Sequence, residues 1–144
     1  MLDRLAQRNL LSDSDSDALL SLPHRHARFD AGAYIVRDGD RADSCGVLVG
    51  GFVYRHKVTG DGARQILSIH MKGDIVDVQN SLLGYADHSV QALTHAELAV
   101  IPQSALLELC AERPAIAQAL WRDTLVDASI FREWIVNVGR RDAR

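Results

Sequence analysis

The stretch "GAYIVRDGDRADSCGVLVGGFVYRHKVTGDGARQILSIHMKGD", residues 32–74, decides how this chain is read. Its apolar runs, "AYIV", "CGVLVG", "GFVYRHKV" and "RQILSIHM", are short, and the turns "RDGDRADS" and "TGDGA" separate them. Short runs bounded by Gly and Asp at close spacing predict an antiparallel sandwich or barrel rather than helices. "HKVTGDGARQ" predicts a hairpin tip, with Asp61-Gly62 supplying the left-handed residues such a turn needs. Working outward, "RHARF" (25–29) before the stretch and "SVQAL" (89–93) and "AELAVI" (96–101) after it have the same strand character.

The flanks read as helical. Leu2, Leu5 and Ala6 share a helical face, and the run "SDSDSD" at 12–17 offers N-caps for "ALLSL", which Pro23 closes. After Ile101, "PQSALLELCAER" sets Leu106, Leu109 and Cys110 on one face, behind a Pro suited to the start of a helix. Pro114 then restarts a helix expected to reach about Val138. Two apolar stripes run along it. Ala117, Leu120, Thr124, Asp127, Phe131, Trp134 and Val138 form one; Trp121, Leu125, Ala128 and Ile135 form the other. A helix apolar on two sides needs two partners, one being the barrel and the other the same helix of a second subunit. The first stripe, from Leu120 to Val138, is taken as the dimer seam, with Asp127 as its irregularity.

Composition narrows the classes. The 144 residues are 47% apolar and 24% charged, enough for one domain with a sizeable core. A net charge of −3 offers no basic face for nucleic acid. No run approaches the length of a membrane span, and two cysteines without a partner motif suit a reduced, cytoplasmic protein.

A helical start, a jelly-roll of short strands and a long terminal helix resemble the Crp/Fnr family of bacterial transcription regulators. The residues that carry the likeness are Gly32, Ile35, Gly39, Asp40, Val49, Gly51, Gly60 through Gly62, Gln65 and Gly73-Asp74. The resemblance implies a mainly β, double-stranded β-helix (jelly-roll) sensor domain over 1–113, a dimerisation helix over 114–138 and a hinge over 139–144. It also implies a homodimer that reaches DNA only through a helix-turn-helix absent from this chain. The abrupt basic ending "RRDAR" makes a sensor half cut from a longer regulator the expected reading, ahead of a stand-alone sensor.

In relatives that bind cyclic nucleotides, the segment after "GD" carries a Gly-Glu-Leu step and, further on, an Arg followed by Ser or Thr. Here, in "GDIVDVQNSLLGYADHSVQALT" (73–94), those positions fall on Asp77, Val78 and Gln79, then on His88 and Ser89, and only Ser89 is in keeping. The segment itself contains no Lys or Arg. A desolvated phosphate without its guanidinium loses about 3–5 kcal/mol, or two to four decades at about 1.4 kcal/mol per tenfold. Cyclic AMP is therefore expected not to bind usefully. Asp77, Gln79, Asn80, His88 and Ser89, with Tyr85 as a wall, remain a polar set for a small effector of lower negative charge, or for none. No cofactor is expected.

Other chemistry finds little support. "HRH" at 24–26 has the spacing of a cupin-type metal site, which makes a cupin-like metal enzyme the alternative reading, but only Asp30 follows nearby and Pro23 places the pair at a solvent-facing strand start. Two cysteines cannot hold a four-iron cluster. No Ser/His/Asp set or phosphate loop with Lys stands at usable spacing, and the chain reads as a non-enzyme.

Overall fold

The computed structural model describes residues 11–140. The helix expected around Leu2, Leu5 and Ala6 lies outside them. In chain order the elements are α1 (Asp13–Leu20), β1 (Arg25–Phe29), β2 (Tyr34–Val36), β3 (Ser44–Gly50), β4 (Val53–Val58), β5 (Arg64–His70), β6 (Ile75–Val76), α2 (Val78–Leu83), β7 (Ser89–Ala92), β8 (Ala96–Pro102), α3 (Gln103–Glu112) and α4 (Pro114–Arg140). Every run expected to be a strand is one. The eight strands pair antiparallel into two four-stranded sheets, β1-β8-β3-β6 and β2-β7-β4-β5, which face each other as a roll.

Between the sheets lies one core of Leu48, Val53, Val76, Val90, Ala92, Ala96 and Leu98. A second core joins the roll to the helices through Leu19, Cys45, Ile75, Val78, Ile101, Leu106, Leu109, Ile116, Ala119 and Leu120. Gly51 holds the β3–β4 corner at φ +80°. A Cβ there would stand 2.0 Å from the His95 carbonyl oxygen, so the close approach of this corner to the β7–β8 turn requires glycine.

The ends of some elements differ from expectation. The "SDSDSD" run does not precede its helix but forms its first turns. Ser12 is the N-cap, its hydroxyl accepting from the Asp15 amide at 3.1 Å while the Asp15 carboxylate accepts from the Ser12 amide at 3.3 Å. Acidic residues suit the positive end of a helix, so Asp13 and Asp15 favour an early start. At the hairpin tip only Gly62 is left-handed, at φ +83°. Asp61 acts through its side chain instead, accepting from the Ala63 amide at 3.2 Å and from the Thr59 hydroxyl. The long helix, expected to reach about Val138, continues through Gly139 to Arg140. One interior glycine costs only about 1 kcal/mol and does not stop a helix.

Candidate functional site

The segment between β5 and β7 contains two elements that its sequence concealed: the two-residue strand β6 and the six-residue helix α2. Asp77 joins them in the left-handed conformation (φ 65°, ψ 25°), the one positive-φ residue other than glycine among those described. α2 ends at Gly84, whose amide donates to the Asn80 carbonyl at 2.8 Å. The Asp38 amide then donates to the Ser89 hydroxyl at 3.0 Å, fixing the start of β7 to the β2–β3 turn.

The segment has no cation of its own, but the fold brings one to it. Arg55 stands two residues after Val53 on β4 and so shares the face of that inter-sheet core residue, and its side chain is only 3% exposed. Its Nε stands 3.6 Å from Asp77 Oδ1. With the Gln79 amide oxygen turned inward, that oxygen accepts from both terminal guanidinium nitrogens at 3.2 Å. Burial works against the guanidinium charge. Asp77, and after it Asp127, Asp87 and Asp74, act to hold it. His88 adds a second bridge. Its Nε2 lies 2.8 Å from Asp77 Oδ1 and its Nδ1 lies 2.6 Å from Asp87 Oδ1.

The segment itself has no Lys or Arg, as its sequence shows, but a guanidinium reaches it from β4. The cation is present and its charge is matched inside the protein. Arg55 was missed because it lies far from the loop in sequence; the available signal was an arginine at the inward-facing position of the strand "VYRHKV".

Of the six residues expected at an effector site, Asp77, Gln79 and His88 converge on Arg55. Val78 instead packs in the helix-side core. Asn80 is fully buried, with both side-chain polar atoms lacking a hydrogen-bond partner. Ser89 is engaged by Asp38, as above. Tyr85 is 55% exposed and bridges to Arg41.

A cleft of about 330 Å³ opens above this cluster, lined by Arg55, Gln79, Asp87 and His88, by Leu67 of β5, and by Phe131, Trp134 and Ile135 of α4. Leu67 is the extra residue of a β-bulge, since Arg55 pairs with Ser68 and His56 with Ile66. Trp134 pins α4 to the same strand, its indole N–H donating to the Ile66 carbonyl at 3.3 Å.

The first stripe of α4 lies largely against the chain's own roll. Leu120, expected at a dimer seam, is 7% exposed within the chain's own core. Asp127 and Phe131 border a smaller cleft with Ser68, His70 and Asp74, and Trp134 reaches β5. Thr124 is half-buried, its hydroxyl donating to the Trp121 carbonyl at 2.7 Å. Of that stripe Val138 is exposed, at 60%. The other stripe is left uncovered, with Trp121 at 68%, Leu125 at 55% and Ile135 at 69%. The edge strand β5 runs beside the second half of α4, so the roll covers whichever face is turned to it.

Ser68, His70 and Asp74, which sequence spacing did not connect, also come together. Ser68 Oγ lies 2.9 Å from His70 Nε2, but His70 Nδ1 is 3.6 Å from Asp74 Oδ2, which accepts instead from the Met71 amide at 3.0 Å. His24 and His26 are exposed and pack ring edge to face. Among the described residues, no three His, Cys, Asp or Glu side chains converge to hold a metal, and no helix is long and apolar enough to cross a membrane. Cys45 is buried, which pushes its thiol up to about 11; burial also raises Cys110. His56 is fully buried between the Tyr34 and Tyr54 rings, and burial, then Arg64, holds its pKa below the ordinary value.

A double-sheet roll, a helix-bearing loop at its mouth and a long helix closing over it define a class of roll-and-helix regulatory domain. The chain belongs to the cyclic nucleotide-binding domain family, whose model matches residues 26–113, in the form found in Crp/Fnr-type transcription regulators. It is 29% identical over 126 residues to the "Probable transcriptional activator" of Rhizobium leguminosarum bv. viciae, covering 83% of this chain and 50% of that protein. The solved structure of FixK2 from Bradyrhizobium japonicum superposes with a TM-score of 0.78 at 20% identity, over 84% of this chain and 60% of that one. The catabolite activator protein of Thermus thermophilus gives 0.73 at 21% identity, over 89% and 59%. The chain thus spans about half the length of the curated relative. These relatives are regulators, and the cupin-like alternative is not favoured.

Proposed function

We propose that this chain is the effector-sensing and dimerising part of a Crp/Fnr-type regulator whose phosphate cradle no longer serves cyclic AMP. Asp77 carries the reading. It occupies the place where nucleotide-binding relatives have glycine, and its carboxylate stands 3.6 Å from the buried guanidinium. A cyclic phosphate would have to displace that carboxylate from the guanidinium and face its negative charge at close range. Breaking a buried pair costs about 3–5 kcal/mol, enough to remove two to four decades of affinity. Signal transfer in this reading runs from the cleft to α4, since Phe131 and Trp134 line the cleft on the helix that also carries the exposed stripe. The whole regulator would read DNA through a part outside this stretch of sequence.

Isothermal titration with cyclic AMP tests the proposal. No heat of binding is expected up to about millimolar ligand, and a micromolar Kd would overturn it.

A further inference from the structure

The chemical class of the effector can be drawn from the cleft wall, granting that the cleft is the sensing site. Charges of both signs stand together there: Arg55 lines the cleft with Asp87, while Asp77 lies directly behind. A ligand carrying net charge of either sign therefore meets at least one like charge at short range, which selects against it. Asp87, with a side chain 56% exposed, meets an incoming anion first. The rest of the wall is apolar and partly aromatic: Leu67, Phe131, Trp134 and Ile135. The polar part of the wall is the Arg55 guanidinium, which lines the cleft beside Gln79 and whose planar fork of donors is what an acceptor on a ligand would meet. At about 330 Å³ the space suits a body of two fused rings, at the small end of ligand sites.

We propose that the cleft between the roll and α4 takes an uncharged, flat aromatic ligand bearing a carbonyl or equivalent acceptor. The acceptor meets the Arg55 guanidinium, and the ring packs against Phe131 and Trp134. Binding would tie β4 to the second half of α4, and so report to the helix that carries the uncovered stripe.

A charge series of one shape separates the outcomes. 2-Naphthamide, 2-naphthoate and 2-naphthamidine are titrated into ¹⁵N-labelled protein, reading the indole N–H of Trp134, which is assigned by its loss in Trp134→Phe. The amide should shift the resonance saturably, with a Kd at least tenfold below that of either charged analogue. Arg55→Lys should weaken it by about tenfold or more, having lost the planar fork. Leu67→Trp, which fills the cleft and leaves Arg55 in place, should abolish the shift, so the test does not depend on Arg55→Lys folding. Tighter binding of naphthoate or naphthamidine overturns the ligand class while leaving the cleft as the effector site. No shift with any of the three overturns both.

Discussion

At Asp77 the backbone and the side chain serve one arrangement. The left-handed conformation costs most residues about 1–2 kcal/mol, but Asp and Asn tolerate it better than others because their short polar groups bond locally. An aspartate can therefore keep the backbone turn of a glycine while adding a carboxylate beside Arg55. Replacing Asp77 with Ala should destabilise the domain by about 3–5 kcal/mol, since it leaves a buried guanidinium unpaired. Arg55→Met should also destabilise, but the double variant should lose clearly less than the sum, with a coupling of at least about 1 kcal/mol. Urea denaturation of the four proteins measures this, and strict additivity would show that the pair is not energetically linked. The site's residues were only half legible in sequence for the same reason. Asp77, Gln79 and His88 lie in the loop and could be read from it, whereas Arg55 enters from another strand.

Among the elements, α1 shows how a local signal reaches a distant one. The capping box of Ser12 and Asp15 starts the helix, and Arg113, just before α4, donates to Ser14 Oγ at 2.9 Å and to Asp15 Oδ1 at 3.1 Å. The Ser12 hydroxyl, then Arg113, holds the Asp15 carboxyl below its ordinary value of 3.8. A depressed folded value stabilises the native state above the unfolded pKa, and this is lost as pH falls through the folded one. The stability difference between wild type and Asp15→Asn should accordingly be present at neutral pH and shrink as pH falls below the ordinary carboxyl value of 3.8. Urea midpoints across that range check it; a difference that widens on acidification would contradict the assignment. The element types along the roll were legible because alternation and turn residues are local properties. β6 and α2 were not, since two and six residues are too short to show a period.

For the molecule as a whole, the uncovered stripe of α4 is the surface on which the proposed homodimer would form. Trp121, Leu125 and Ile135 are all more than half exposed on one face of a 27-residue helix. A large apolar patch of this kind marks an interaction surface, and a second copy is the simplest cover, because a two-fold pairing makes each stripe its own complement. Wild type should sediment as a dimer at about 100 μM, while Leu125→Glu, which places a charge at the centre of the seam, should sediment as a monomer with an unchanged thermal midpoint. A wild-type monomer at that concentration would remove helix pairing. The same change at Leu120, 7% exposed, should instead unfold the chain, because that side chain belongs to the monomer's core.

The sequence by itself determined the roll, its hairpins, the long helix with two apolar faces, and the lack of any cation within the loop at 73–94. Each of these is a matter of period, turn chemistry or residue type within a few neighbours. Only the tertiary structure decided that a guanidinium reaches the loop from β4 and is matched there by Asp77, and which stripe of α4 lies against the roll. Both depend on packing between segments far apart in the chain: which side chains share an interior is set by how the sheets close, and a helix with two apolar faces can turn either one inward until the strand beside it is known.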